Sequence, residues 1–420
     1  MHFFEYKDHQ LCCEKVPVHQ VAEKVGTPFY LYSYHTLLRH FTVFDQAFAG
    51  IPHVICYAMK ANSNIALLRL FTGLGGGVDI VSGGELYRAL QGGANPQKIV
   101  FSGVGKKEDE IEYALQAGIL MFNVESSQEL EKVNQVAGRI GKKAPISIRV
   151  NPDIDAKTHP YISTGLKKNK FGIDINRALM AYQLAARLPH LEILGIDCHI
   201  GSQLIEAEPF VEALRKLKGL VEQLRREGVT IRYLDLGGGL GITYEDEEPP
   251  DPVEYAANIL EEIRGFNCTL ILEPGRVIVG NAGILVTKVL YFKENEAKRF
   301  VIVDAGMNDL VRPSYYGSFH QVLPVRQESR EEIVADVVGP ICESSDFLAK
   351  DRKIPRPNQG ELLAVMSAGA YGFSMSTNYN SRPRLTEVLV RDDQMFVIRR
   401  RESYEDLVRG EEIPEFLNRS

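Results

Sequence analysis

Between residues 53 and 273 the chain alternates two hydrophobic patterns. Short, almost continuous apolar runs of strand type, "HVICYAMK", "GVDIVS", "KIVFSG", "ILMFNV", "PISIRVN", "LGIDCHIGS", "RYLDLGGG" and "TLILEP", lead through turn residues into stretches whose apolar positions recur at helical spacing. Those stretches include "NIALLRLFTGL", "GELYRALQGG", "KKEDEIEYALQAG", "SSQELEKVNQVAGRI", "NRALMAYQLAARLP", "EPFVEALRKLKGLVEQLRREG" and "PVEYAANILEEIRG", with "YHTLLRHFTVFDQAF" ahead of the first strand. Strand and helix alternating about eight times predict an α/β fold of the (β/α)8 TIM-barrel type. A doubly wound open sheet is the rival architecture. The count favours the barrel, and so does the placement of polar residues. Lys60, Asp79, Ser102, Asn123, Arg149 with Asn151, His199 with Ser202, Gly237 to Gly239, and Glu273 fall at or just beyond the C-terminal ends of their strands. In a barrel that end forms one mouth and carries the active site.

After about residue 281 the pattern changes to "GILVTKVLYFK", "RFVIVDAG", "EEIVADVVGP", "ELLAVMSAG", "TEVLVR" and "QMFVIRRR", with few helical stretches. This predicts a second, all-β domain of sandwich or barrel-like type. The expected division is a barrel over 36–280 and a β domain over 281–420 joined by the N-terminal 1–35.

Composition acts mainly by exclusion. With 420 residues, 45% hydrophobic and 25% charged, the chain can bury a sizeable core. A net charge of −7 gives no basic field, so nucleic acid and anionic membranes are not expected partners. No apolar run reaches transmembrane length, and "MHFFEYKDHQ" lacks the basic start and apolar stretch of a signal peptide, which predicts a cytoplasmic protein. The six cysteines form no CxxC pair and no regular framework, so free thiols are expected, and no metal site.

Candidate chemistry begins at Lys60, where the apolar strand "VICYAM" ends in a lysine and breaks into "ANSN". A lysine in an apolar pocket can act as a free amine and form a Schiff base with an aldehyde; the competing reading is an ion pair with Asp79 or Glu85. The runs "DLGGGLGI" and "EPGR" close the seventh and eighth strands, and bare glycines in those loops suit close approach of backbone N–H groups to a phosphate, or simply a tight turn. Phosphate, aldehyde and amine together suggest pyridoxal 5'-phosphate. Glu273 is the candidate partner for its pyridine nitrogen, keeping the ring protonated as an electron sink, unless the backbone or Arg276 satisfies it. His199 in "DCHIGSQ" either faces a ligand ring or is a satisfied core residue.

Together "YAMKANSN", "GVDIVSGGEL", "VNPDIDAKTHPYISTGLKKNKFGI", "CHIGSQ", "DLGGGLGI", "EPGR", "CESSD" and "GAYG" resemble the diaminopimelate decarboxylases, within the alanine-racemase-type (fold type III) pyridoxal-phosphate decarboxylases, in order and over essentially the whole chain. The resemblance implies a (β/α)8 barrel, a β domain and a homodimer with shared active sites. It makes Lys60 the covalent anchor of the cofactor and His199 the residue stacked on its ring. Ser202, Gly238, Gly239, Gly275 and the backbone from Glu273 to Arg276 would complete the cofactor site, with Tyr371 touching both cofactor and substrate. Arg276, Arg312 and Tyr316 would hold the substrate's distal carboxylate, and Glu343 its distal ammonium from across the subunit interface. Cys342 would return a proton to the α-carbon. The implied reaction is decarboxylation of meso-2,6-diaminopimelate to L-lysine and carbon dioxide, the last step of lysine biosynthesis.

Several alternatives stay open on the sequence. In the family's racemases an arginine replaces the glutamate at the ring nitrogen, so Glu273 argues for decarboxylation. An ornithine or arginine decarboxylase would give Arg276 and Arg312 no distal carboxylate to hold. A D-amino-acid decarboxylase is not excluded by motifs. A non-catalytic cofactor carrier would not need both Lys60 and Cys342. The loop "HPYISTGLKKNK" (159–170) follows the fifth strand, where a lid over the site would lie.

Overall fold

The structure, a computed structural model, describes residues 2–155, 164–166 and 169–417. The loop 159–170, whose action as a lid the sequence leaves open, falls largely on residues outside that set. The chain divides into two compact units, Leu37–Gly280 and Met1–Thr36 with Asn281–Ser420.

In the first unit the strands His53–Ala58, Gly77–Ile80, Ile99–Phe101, Met121–Val124, Ala144–Asn151, Leu191–Asp197, Tyr233–Asp235 and Thr269–Leu272 are all parallel neighbours. The last strand pairs with the first, Leu270 opposite His53, and closes the ring into the expected barrel of eight. A two-residue strand, Ile173–Asp174, adds to the edge of the fifth. Helices cover the outside, which is why these strands read as continuous apolar runs instead of alternating ones.

The barrel interior changes character along its axis. Side chains two residues apart in a strand share a face. Stepping by two toward the C-terminal ends takes Val100 to Ser102, Met121 to Asn123, Ser147 to Arg149, Gly195 to Asp197, Tyr233 to Asp235 and Ile271 to Glu273. Cys56, Val100, Met121 and Ile271 belong to one apolar cluster with Leu120 and Leu194. The polar residues of the next layer are also buried, and they make a hydrogen-bonded network of their own.

Short turns then redirect the chain into helices, and polar side chains cap them. Asn64 Oδ1 accepts from Ala66 N, Ser82 Oγ from Glu85 N, Ser126 Oγ from Glu129 N, and Asp251 Oδ1 from both Val253 N and Glu254 N. Each cap supplies an acceptor for otherwise orphaned helical N–H groups. The "ANSN" after Lys60 is this device: Asn62 Oδ1 accepts from Asn64 N at 3.1 Å, and Asn64 starts the helix Ile65–Gly73.

The second unit is built on a sheet in the order Phe347–Pro355, Glu332–Val338, Arg299–Val303, Gly283–Glu294, Phe29–Ser33, Thr386–Arg391, Gln394–Arg399. The N-terminal segment supplies an interior strand: Phe29–Ser33 runs antiparallel to Gly283–Glu294 and parallel to Thr386–Arg391. All five of its residues are buried. Strand Leu362–Val365 pairs with both Gly283–Glu294 and Val322–Pro324. All six cysteines are free. Among the described residues no helix is long and apolar enough to cross a membrane.

Candidate active site

At the barrel mouth the chain turns immediately after Ala58, and Lys60 extends its ammonium to Asp79 Oδ2 at 2.5 Å. Of the two environments open to Lys60 on sequence, the apolar pocket and the ion pair, the structure shows the ion pair. A fully buried carboxylate on the next strand faces the lysine, whose side chain is a third exposed. Glu85, the other candidate partner, instead accepts from Val81 N at 2.7 Å, and burial pushes its carboxyl up to about 7.

Glu273, one residue beyond the last barrel strand, is buried among Ser102, Asn123 and Asp235. Asn123 Nδ2 donates to Asp235 Oδ2 at 3.0 Å and approaches Glu273 Oε1 at 3.4 Å. Burial raises the Glu273 carboxyl well above the usual carboxylate range; Asp235 and Asp79 add to the rise, while Lys60 and Arg149 oppose it. Burial likewise raises Asp235 to about 7, with Asp197 adding to it. The cluster thus carries more carboxyl groups than its cations stabilise as anions, and a protonated ring nitrogen set against Glu273 would supply counter-charge.

Arg149 stands on the opposite arc of the barrel, donating to Glu125 Oε1 at 2.9 Å with Asp197 at 3.9 Å. Burial disfavours its cation, but Glu125, Asp197 and Glu273 outweigh that cost and hold it charged. Burial, then Arg149, then Lys60, push His199 well below its ordinary value, so its imidazole is neutral. The residue as a whole is only half-buried, but its Nδ1 is buried and has no hydrogen-bond partner among the described residues, and a Cβ on Gly237 would sit 2.8 Å from that nitrogen. Gly237 is thus the space in which the imidazole lies.

The glycine loop has the form a phosphate cradle needs. Gly237 and Gly239 have positive φ, 66° and 120°. A Cβ on Gly239 would lie 2.5 Å from Gly201 O, and one on Gly238 would collide with the Glu273 carbonyl oxygen. Gly275 packs on Ala58 and Ala61 beside Lys60, at 3.2 Å and 3.1 Å from a Cβ position. Backbone alone can line this corner, which fits an oxyanion held by N–H groups. Arg276 follows it, buried, with Nη1 donating to the Tyr244 hydroxyl at 2.7 Å and Nη2 to Ser202 Oγ at 3.0 Å. Lys60, His199, Ser202, Gly238, Gly239, Glu273, Gly275 and Arg276 therefore all lie at the C-terminal end of the barrel.

The remaining sequence-derived candidates belong to the all-β unit. Arg312 opens the short helix Arg312–Tyr316 and is buried; its Nη1 lies 2.7 Å from His320 Nε2 and its Nη2 donates to Ser318 Oγ at 3.3 Å. Tyr316 is partly exposed, its ring packed edge-on against Tyr315. Cys342 and Glu343 are exposed on a loop tied by Asp346, whose carboxylate accepts from Ile341 N at 2.6 Å and Met307 N at 2.7 Å. Cys342 N donates to Asn380 Oδ1, and the Tyr379 hydroxyl donates to Glu343 Oε2. Tyr371 has a left-handed backbone, φ 56°, which for a bulky side chain costs energy and is concentrated at functional sites.

Asp235, Tyr244 and His320 join the site candidates only in the structure. Asp235 had a signal, since it immediately precedes the glycine run. Tyr244 and His320 had none, because each is defined by an arginine it meets only in the fold.

Residues 34–280 match the family model described as pyridoxal-dependent decarboxylase, pyridoxal binding domain. The diaminopimelate decarboxylase of Haemophilus influenzae is 54% identical over 409 residues, covering 97% of this chain and 98% of that protein. The crystal structure of diaminopimelate decarboxylase from Helicobacter pylori complexed with L-lysine superposes with a TM-score of 0.91 at 48% identity, over 93% of this chain and 98% of that one. The diaminopimelate decarboxylase of M. jannaschii in co-complex with L-lysine gives a TM-score of 0.94 at 39% identity, covering 99% and 98%.

Proposed function

This chain belongs to the pyridoxal-dependent decarboxylases, and on that premise we propose that it is a carboxy-lyase converting meso-2,6-diaminopimelate to L-lysine and carbon dioxide. Glu273 carries the reading: a buried carboxyl at the strand end, crowded by other carboxyls, suits a ring nitrogen that must stay protonated. Pyridoxal 5'-phosphate, when bound, supplies an aldehyde for amines and a ring that withdraws electrons from the substrate's α-carbon.

The residues divide the remaining work. Lys60 provides the amine that anchors the aldehyde, and Asp79, 2.5 Å away, takes its charge whenever the amine is released as an ammonium. The backbone at Gly238, Gly239 and Gly275 receives the phosphate, with Ser202 and Arg276 flanking it. Neutral His199 would lie against the ring without adding a charge that would compete with Glu273. Arg276 and Arg312, with Tyr316, hold the distal carboxylate, a task that suits the planar fork of guanidinium. Glu343 meets the distal ammonium, and Tyr371 contacts both cofactor and substrate. Cys342 Sγ gives its proton to the α-carbon once carbon dioxide has left.

The assembly we assign is a homodimer with shared sites, in a cytoplasmic setting. Cys342 and Glu343 are exposed on the chain's own surface, as residues serving a partner would be. The free cysteines suit a reducing compartment.

The test is Lys60→Ala. The variant is expected to lose the absorbance band of covalently held aldehyde and at least about 10³-fold of carbon dioxide release. Survival of both would refute the assignment.

A further inference from the structure

We infer that His320 is a positioning residue: it aims the Arg312 guanidinium and so sets how strongly the enzyme prefers ligands carrying a distal carboxylate. The inference rests on the reading of Arg312 given above and extends it to a residue with no assigned role.

His320 is completely buried. Its Nδ1 lies 2.8 Å from the Met366 carbonyl oxygen. A carbonyl only accepts, so Nδ1 carries the proton, and in the neutral ring Nε2 is left as a bare lone pair. That lone pair is what Arg312 Nη1 meets at 2.7 Å. The tautomer is thus fixed from behind, and the guanidinium is held from in front.

The Met366 anchor is itself rigid. Met366 N donates to Gln321 O at 2.8 Å, and Val365 and Val322 are partners in the adjoining strand pair. The backbone on both sides of the imidazole is therefore locked to the sheet, and the ring transmits that rigidity to an arginine on a helix of five residues.

The chemical type of the partner matters. A carboxylate in place of the imidazole would cancel the arginine's charge and compete with the ligand. A neutral imidazole nitrogen, like the Ser318 hydroxyl at 3.3 Å, orients the guanidinium without itself neutralising the charge. Guanidinium has five N–H donors in a fixed plane, so holding Nη1 and Nη2 fixes the orientation of the whole group.

The experiment uses two amide replacements in the holoenzyme. His320→Asn places its amide where Nδ1 was, keeping a donor for Met366 O but falling short of Arg312. His320→Gln reaches the Nε2 position and restores an acceptor. Competitive inhibition is measured with L-lysine, which keeps the distal carboxylate, and with 1,5-diaminopentane, which does not. Their ratio is independent of the fraction of enzyme correctly folded. For His320→Asn the L-lysine inhibition constant and the KM for diaminopimelate are expected to rise about tenfold. For the same variant kcat changes less than about threefold and the diaminopentane constant is unaltered. His320→Gln is expected to recover most of the loss. Equal changes for both inhibitors, no change for either, or no recovery in His320→Gln would overturn the positioning role. Arg312→Lys is the reference: if it leaves the ratio unchanged, the reading of Arg312 itself falls. If it collapses the ratio while His320→Asn does not, only the role of His320 falls.

Discussion

Lys60 and Glu273 are both charged groups at the end of apolar strands, and burial treats them differently. Lys60 keeps a third of its side chain exposed and a carboxylate at 2.5 Å, so its charge is met. Glu273 has no such cation at hydrogen-bonding distance among the described contacts and is pushed toward its neutral form by burial, with Asp235 and Asp79 adding to it. Glu273→Gln is accordingly expected to keep the cofactor, as judged by its absorbance, while lowering kcat by roughly 10²-fold, the scale lost when a preorganised electrostatic partner is removed. A kcat within threefold of wild type would show that ring protonation does not depend on Glu273. Cys342→Ala should likewise bind cofactor normally and lose about 10²-fold in turnover, the scale of general-acid catalysis. At this scale the sequence was legible where a residue's role follows from its strand-end position, as for Lys60 and Glu273. It offered Asp79 and Glu85 alike as the lysine's partner, because strand register decides which carboxylate faces the amine: Asp79 lies opposite Ala58 in the paired strand.

Elements deliver these residues, and the glycine loop is the one most sensitive to change. A methyl group at Gly238 would strike the Glu273 carbonyl oxygen, so Gly238→Ala must shift the seventh loop against the eighth. It is expected to weaken cofactor retention at least tenfold in equilibrium dialysis, with the far-ultraviolet circular dichroism unchanged. Retention equal to wild type would mean that the two loops do not jointly form the cradle. In the all-β unit the loop after Arg299–Val303 is held by Asp309, whose carboxylate accepts from Gly306 N at 3.0 Å and Asn308 Nδ2 at 3.0 Å. Burial raises this carboxyl from 3.8 to about 7. Between those values the folded state keeps a proton that the unfolded chain releases, so the stability from Asp309 is present below about pH 4 and is lost as pH rises to 7. Asp309→Asn should remove that loss, gaining on wild type by roughly 2–4 kcal/mol between pH 4 and pH 8 in urea unfolding. A pH-independent difference would contradict it. The barrel strands and helices were legible because burial on both faces and short capped turns leave strong local signals. Strand Phe347–Pro355 was not: it lies at the sheet edge, and its central "KDRK" carries four consecutive charges that suit a solvent-facing edge but hide the strand pattern.

For the whole molecule, the N-terminal segment shows what local pattern cannot convey. The interior position of Phe29–Ser33 between strands some 250 and 350 residues later is fixed only by long-range pairing. The assigned dimer has a direct consequence. If Cys342 serves the partner's site while Lys60 serves its own, mixing inactive Lys60→Ala and Cys342→Ala subunits should restore about a quarter of wild-type activity at statistical exchange, since each mixed dimer contains one intact site. No recovery after verified exchange would place both residues in one subunit's site. The central claim, decarboxylation of a substrate with a distal carboxylate, is tested most directly by carbon dioxide release from meso-diaminopimelate beside ornithine, arginine and D-lysine, each with and without added pyridoxal phosphate. Cofactor-dependent release from meso-diaminopimelate is expected at a kcat/KM at least about 10³-fold above the others, because only that substrate gives the guanidinium groups a carboxylate to hold. Preferential release from ornithine, arginine or D-lysine would contradict it.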